Sequence, residues 1–134
     1  MQVPQNAVIA VADGEKLSLF QNEGNTLNIK LRAISTEEFD SSKIASGGPH
    51  SSSAANPDSD QQEEDGFSGG ITDMLNRHVL DGTIKDLVIV AAPRTLGEMR
   101  KGYHKQLSAV LVGELDKDLT GHSVPEIEKA LESA

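Results

Sequence analysis

The sequence contains no cysteine. Disulfide bonds, thiolate zinc sites and cysteine nucleophiles are therefore excluded from these 134 residues, and the redox compartment is left open. The core has to form without covalent cross-links. The chain is long enough for that, because a domain of this size buries roughly two-thirds of the surface that its unfolded chain exposes. We expect one domain that spans residues 1–134.

Long hydrophobic runs are also missing. No segment approaches the roughly 18 apolar residues that a membrane span requires. Residues 1–14 lack the basic stretch and the long apolar stretch of a secretory signal. We therefore expect a cytoplasmic protein that makes no contact with a membrane.

Positive charge is scarce, with 12 lysine and arginine residues against 21 aspartate and glutamate residues and a formal net charge of −9. Such a balance repels polyanions on average, and we expect no DNA partner. The charge is unevenly distributed, however. Five carboxylates fall between Asp58 and Asp65, whereas the segment from Arg94 to Lys105 holds four lysine and arginine residues against Glu98 alone. The acidic total therefore does not exclude an anion-binding site in that basic segment.

The first part of the chain has the pattern of three strands joined by short turns. Apolar or alternating residues occupy Asn6–Ala12, Lys16–Gln21 and Leu27–Ile34, as is typical of strands. Asp13 and Gly14 lie between the first two, and this pair is a strong hairpin signal because both residues tolerate a positive φ. We predict an antiparallel meander.

The second half of the chain alternates helices and strands. Apolar residues at helical spacing predict a helix over Phe67–Leu80, with His78 on its apolar stripe as a core or boundary histidine. The apolar run Asp86–Ala92 predicts a strand that is buried on both faces. The next elements are a helix from Thr95 to Leu107 opened by a capping box with Glu98, a strand over Ser108–Glu114, and a last helix opened by a capping box of Ser123 and Glu126.

The order of these elements, βββ–αβαβα, predicts the fold class. A meander followed by alternating helices and strands indicates a single-domain α/β fold, in which helices pack on both faces of a mixed β-sheet. This is the order of ribonuclease H-like domains. Residues 35–66 stand apart, because their serine, glycine, aspartate and proline offer little apolar surface to offset the entropy cost of ordering. We predict a long, polar, mobile loop there.

The segment Val88–Leu131 resembles the corresponding part of a known protein family. The residues that carry most of this resemblance are Pro93, Arg94, Gly97, Arg100, His104, Asp116, Lys117, Asp118, Leu119 and Thr120. On these residues the chain resembles the bacterial host attachment proteins, which are required for attachment to host cells and have no agreed biochemical activity. The Asp-Gly pair after the first strand and the region of Asp40 fit the same family, so the resemblance covers nearly the whole chain.

The host attachment family is similar in turn to the central domain of archaeal and eukaryotic class 1 peptide-chain release factors. In those factors a Gly-Gly-Gln loop between the meander and the first long helix promotes peptidyl-tRNA hydrolysis. Here Gly47 and Gly48 are followed by Pro49. The resemblance therefore implies the release-factor fold and an association with the ribosome or structured RNA, without the glutamine that release requires.

Basic residues form two candidate binding sites. Arg94 follows a buried strand and precedes a helix, where ligands meet open α/β sheets and where helix N-termini favour anions. A basic patch on adjacent rows of the predicted helix consists of Arg100, Lys101, His104 and Lys105. A solvated surface is the alternative for both sites, and it stays open.

Catalytic and metal-binding roles have weaker support. The candidate catalytic residues are Asp13, a carboxylate after the first strand, and His50, an imidazole beside the Gly47-Gly48 pair. Asp13 also falls where an Asp-Gly turn is expected for structural reasons alone. Possible metal-ligand types occur at His104, Asp116, Asp118 and His122. Their spacing matches no ligand signature, so we expect no metal and no cofactor.

Three hypotheses about function follow. The first is a non-enzymatic cytoplasmic interaction protein of the host attachment family that binds RNA or the translation apparatus through the basic helix. The second is a hydrolase or nuclease that acts on RNA or an ester with Asp13, His50 or Arg94. The third is a protein-docking module whose acidic loop binds a basic surface. We favour the first, because no Ser–His–Asp set can be assembled from the sequence.

Overall fold

Five strands and four helices occupy residues 1–35 and 60–134, which are the residues that the computed structural model of the protein describes. Between residues 60 and 65 it describes the backbone alone. The strands are β1 (Val8–Ala12), β2 (Leu17–Asn22), β3 (Leu31–Ile34), β4 (Leu87–Ala91) and β5 (Leu111–Leu115). The helices are α1 (Asp60–Leu80), α2 (Pro93–Arg100), α3 (Lys105–Val110) and α4 (Val124–Ser133).

The five strands form one mixed sheet in the order β3-β2-β1-β4-β5. β1, β2 and β3 pair antiparallel, so the predicted meander is confirmed. β4 pairs parallel with β1, and β5 pairs parallel with β4. The carboxyl ends of β1, β4 and β5 therefore lie at the same edge of the sheet, which we name the carboxyl edge.

Helices cover both faces of the sheet, as predicted for this α/β fold. Successive residues of β1 alternate between two cores, with Val8 and Ala10 in one and Ile9 and Val11 in the other. The first core is completed by residues of α1, α2 and α3, and the second by residues of α4. Every residue of β4 is buried, which confirms the strand predicted within Asp86–Ala92.

Two local predictions in the second half are confirmed. The Ser123 hydroxyl accepts a hydrogen bond from the Glu126 backbone N–H at 3.4 Å, and the Glu126 carboxylate accepts one from the Ser123 N–H at 2.9 Å. This reciprocal capping box opens α4 where the sequence predicts it. His78 is 2% exposed, as expected of a histidine on the apolar stripe of α1.

The other predicted capping box is wrong. α2 begins at Pro93, its N-cap residue is Ala92, and no side chain caps it. Proline suits the first position of a helix because its fixed φ is helical and its missing N–H needs no partner. The helix therefore starts before Thr95, which lies inside the first turn and pairs with no capping glutamate.

The single helix predicted from Thr95 to Leu107 is also wrong, because the chain breaks into α2 and α3. The turn between them packs closely on α1, and a Cβ atom at Gly102 would lie 3.2 Å from the Thr72 Cγ2 atom. The predicted strand over Ser108–Glu114 begins only at Leu111, since the residues before it complete α3. Local apolar patterns did not reveal this turn, which is fixed by contacts with another helix.

Two further boundaries differ from the predictions. The third strand begins at Leu31, and Leu27 is 85% exposed because the Asn25 side chain holds a turn with the backbone N–H groups of residues 27 and 28. α1 begins at Asp60, inside the segment predicted as a loop. Residues 36–59 of that segment lie outside the described residues.

Candidate functional site

The carboxyl edge brings together loops that are distant in sequence. The turn after β1, the start of α2 after β4, and the loop from β5 to α4 all lie there, because their strands run parallel. The Thr120 hydroxyl lies 2.8 Å from the Asp13 Oδ2 atom and 2.6 Å from the Asp118 Oδ1 atom, so the two carboxylates share its single proton. This contact joins the loop after β5 to the turn after β1. In open α/β sheets, ligands bind outside the carboxyl ends of the strands. This edge is therefore the candidate functional site.

Asp13 lies in the hairpin turn, as predicted, and both of its carboxylate oxygens are occupied. Its Oδ1 atom accepts hydrogen bonds from the backbone N–H groups of Glu15 and Lys16 at 2.6 and 2.7 Å. Partial burial acts to raise the pKa of Asp13, but the hydrogen bonds from Glu15, Thr120 and Lys16 outweigh it and lower that pKa. A carboxylate in this state is a poor proton acceptor.

Arg94 and Thr95 occupy the first turn of α2 at the same edge. Arg94 is exposed, and it forms no ion pair with any residue in the described ranges. Thr95 is 7% exposed. No acidic residue lies in this turn and no side chain caps it. The positive end of the α2 dipole is therefore not neutralised by a carboxylate of its own helix.

The residues of the predicted basic patch do not lie on one helix. Arg100 ends α2 and makes a bidentate ion pair with Glu114 of β5, with Nε–Oε2 and Nη2–Oε1 distances of 3.2 and 2.7 Å. Lys101 lies in the following turn and pairs with Glu98 at 2.9 Å. Both cations are exposed, and each is paired with a carboxylate of the protein.

His104 and Lys105 lie at the start of α3. The His104 Nδ1 atom accepts a hydrogen bond from the Gln106 backbone N–H at 3.0 Å, so the imidazole caps the helix. That bond requires Nδ1 to carry no proton. Lys105 is exposed and has no salt bridge among the residues that the structure describes. Of the predicted patch, Lys105 alone is left as an exposed cation without a carboxylate partner in that part of the chain.

Glu114 and Tyr103 were missed by sequence reasoning. The Tyr103 hydroxyl donates to the Glu114 Oε2 atom at 2.6 Å. The hydrogen bond from Arg100 is the main reason that the pKa of Glu114 is lowered, although partial burial opposes it. Burial, and then the hydrogen bond to Glu114, raise the pKa of Tyr103. No sequence pattern predicts the contact of Glu114 with Arg100 and Tyr103, because only the tertiary fold places β5 beside these two residues.

Asn76 of α1 was also missed, although it fixes the turn between α2 and α3. Its Nδ2 atom donates to the Gly102 carbonyl, and its Oδ1 atom accepts from the His104 backbone N–H, both at 2.9 Å. A polar residue on a helix gives no sequence signal for such a role. The clamp sets the positions of Arg100, Tyr103 and His104 relative to α1.

The other predicted candidates have different outcomes. Within residues 1–35 and 60–134, no three histidine, aspartate or glutamate side chains lie close enough together to hold a metal ion. The possible metal ligands named from the sequence were His104, Asp116, Asp118 and His122. His50 and the Gly47-Gly48 pair lie outside the described residues.

Comparison with models of protein families gives a match. The model of a family described as "Bacterial archaeo-eukaryotic release factor family 12" matches residues 6–131. The match includes all five strands, the carboxyl edge and nearly all of α4. No curated protein sequence matches the chain. None of the helices in the described ranges is long and apolar enough to cross a membrane.

Proposed function

The chain belongs to bacterial archaeo-eukaryotic release factor family 12, and we propose that it is a non-enzymatic cytoplasmic protein that binds RNA of the translation apparatus. The family match over residues 6–131 is the observation that carries this proposal. Release factors work at the ribosome, whose surface is largely RNA phosphate. The host attachment description is absent from the matched family name and stays a prediction from resemblance.

Among the cations predicted as binding residues, two support contact with phosphate. Arg94 lies in the first turn of α2 and Lys105 begins α3, and neither has a carboxylate partner among the described residues. Arg100 and Lys101 are paired and would have to exchange a protein carboxylate for an RNA phosphate. We therefore assign RNA contact to Arg94 and Lys105 rather than to a row of four residues. So few contacts favour weak, salt-sensitive binding.

The state of Asp13 supports a binding role over a hydrolytic one. A general base has to offer a free lone pair to the proton that it removes. Asp13 uses its carboxylate to hold a hairpin turn and the loop after β5, and its pKa is lowered. The sequence also has Pro49 where the release factors have their glutamine. Both observations argue against hydrolysis as the activity of this chain.

Co-sedimentation with purified bacterial ribosomes tests this proposal. With two phosphate contacts, the association constant falls roughly tenfold when salt rises from about 50 to about 200 mM. The double variant Arg94→Gln with Lys105→Gln loses most of the binding and most of its salt dependence. The charge-matched control is Lys85→Gln with Lys129→Gln, which removes two exposed cations from other parts of the fold. Equal binding by both double variants, or no binding by the wild-type protein at low salt, contradicts the proposal.

A further inference from the structure

The first turn of α2 has backbone donors that no protein group satisfies. Pro93 has no N–H, and the Leu96 N–H is the first in the helix with a partner, the Ala92 carbonyl at 2.9 Å. Arg94 and Thr95 lie between these two residues, and neither of their backbone N–H groups makes a hydrogen bond within residues 1–35 and 60–134. Two adjacent N–H groups at a helix start point outward along the axis, and they suit one oxyanion.

Thr95 is a second and independent observation at the same place. The residue is more than nine-tenths buried, yet its hydroxyl takes part in none of the hydrogen bonds found in the described chain. Cα–Cβ bonds in a helix tilt toward its N-terminus, so the Thr95 Cβ atom, which carries the hydroxyl, leans toward the start of α2. The hydroxyl is not among the polar atoms sealed from solvent, so a ligand has access to it.

Arg94 supplies the charge that this first turn needs to select an anion. It differs from Arg32 and Arg100, whose guanidinium groups are held by Glu23 and Glu114. No acidic residue of α2 competes for the turn. Asp13 is the carboxylate on the neighbouring strand end, and its oxygens are already taken by two backbone N–H groups and the Thr120 hydroxyl.

From these observations we propose that the first turn of α2 is a binding site for one phosphate group. The backbone N–H groups of Arg94 and Thr95 and the Thr95 hydroxyl donate to the phosphate oxygens, and the Arg94 guanidinium balances the charge. Its place at the carboxyl edge, beyond the inner strand β4, is where α/β sheets bind ligands. That the phosphate belongs to an RNA backbone rests on the proposed function, whereas the site itself does not.

Titration with inorganic phosphate, followed by two-dimensional amide NMR, tests the site without RNA. The amide signals of Arg94 and Thr95 shift along a saturable curve, whereas the same ionic strength of sodium chloride leaves them in place. Arg94→Gln weakens phosphate binding about tenfold, since it removes a hydrogen bond between charged groups. Thr95→Val removes the hydroxyl at nearly constant shape and weakens it several-fold. Lys85→Gln, at the opposite end of β4, leaves the affinity unchanged.

A parallel titration with a short single-stranded RNA separates the two proposals. If phosphate binds saturably at Arg94 and Thr95 but RNA does not bind, the phosphate site is confirmed and RNA is not its ligand. RNA binding that Arg94→Gln and Thr95→Val do not weaken keeps the proposed function and rejects this site. A circular dichroism spectrum that matches the wild type shows that each variant is folded. Linear, unsaturated shifts in phosphate that chloride reproduces overturn the inference.

Discussion

Single side chains hold the turn between α2 and α3 in place, and they do so from other elements. Asn76 reaches the turn from α1, and Glu114 reaches Arg100 and Tyr103 from β5. Each bond is made between residues that are far apart in sequence. Local propensity therefore contributes little to the position of this turn, and the loss of one such residue should have a measurable cost.

Asn76→Ala should lower the free energy of unfolding by about 1–2 kcal/mol, because two hydrogen bonds to the backbone of the turn are lost together. Alanine has the higher helix propensity, so the loss cannot come from the helix itself. Urea unfolding measures the change. Asp73→Ala, at an exposed position one turn earlier in α1, is the control and should be neutral or slightly stabilising. Equal stability of the two variants would show that the clamp has no energetic role.

The elements differ in how far the sequence alone could predict them. β4 was predicted because its apolar run is buried on both faces, and the start of α4 because its capping box is local. The break between α2 and α3 was not predicted, because the Gly102 turn depends on the surface of α1. The same reason applies to the site. Asp13 and Arg94 could be predicted as site residues because each follows a predicted strand. The partner of Arg100 could not be predicted, because it lies on β5 and helical spacing relates only residues of one helix.

α1 contains glycine at exposed positions where its helix would tolerate a larger residue. A Cβ atom at Gly70 would meet nothing within 4 Å. Gly70→Ala should therefore raise the free energy of unfolding by about 0.5–1 kcal/mol, because alanine loses less backbone entropy in a helix. Thermal and urea unfolding measure the gain.

Gly82 is the matched comparison for that gain, just after the end of α1. A Cβ atom there also meets nothing within 4 Å, but the φ of Gly82 is +86°. Gly82→Ala should therefore destabilise the protein by about 1–2 kcal/mol, since a Cβ atom is unfavourable in the left-handed region. If both substitutions shift stability in the same direction, backbone conformation does not control these two positions.

At the scale of the whole molecule, two ionised carboxylates join elements that are distant in sequence. Glu114 joins β5 to α2, and Asp13 joins the β1 turn to the loop after β5. Hydrogen bonds lower the pKa of both groups below their ordinary values of 4.5 and 3.8. The folded protein therefore takes up a proton at these groups less readily than the unfolded chain does. Their contribution to stability is complete above the ordinary values and is lost as the pH falls through them toward the lower folded values.

The stability of the protein should accordingly fall as the pH drops from about 5 to about 3, and Glu114→Gln should reduce the steepness of that fall. The variant is less stable than the wild type at neutral pH, since a neutral amide pairs less strongly with Arg100. The difference between the two proteins then narrows in acid, where Glu114 itself becomes neutral. Urea unfolding at a series of pH values measures both curves. Parallel curves for wild type and variant would mean that the Glu114 carboxylate does not couple the helices to the sheet through its charge.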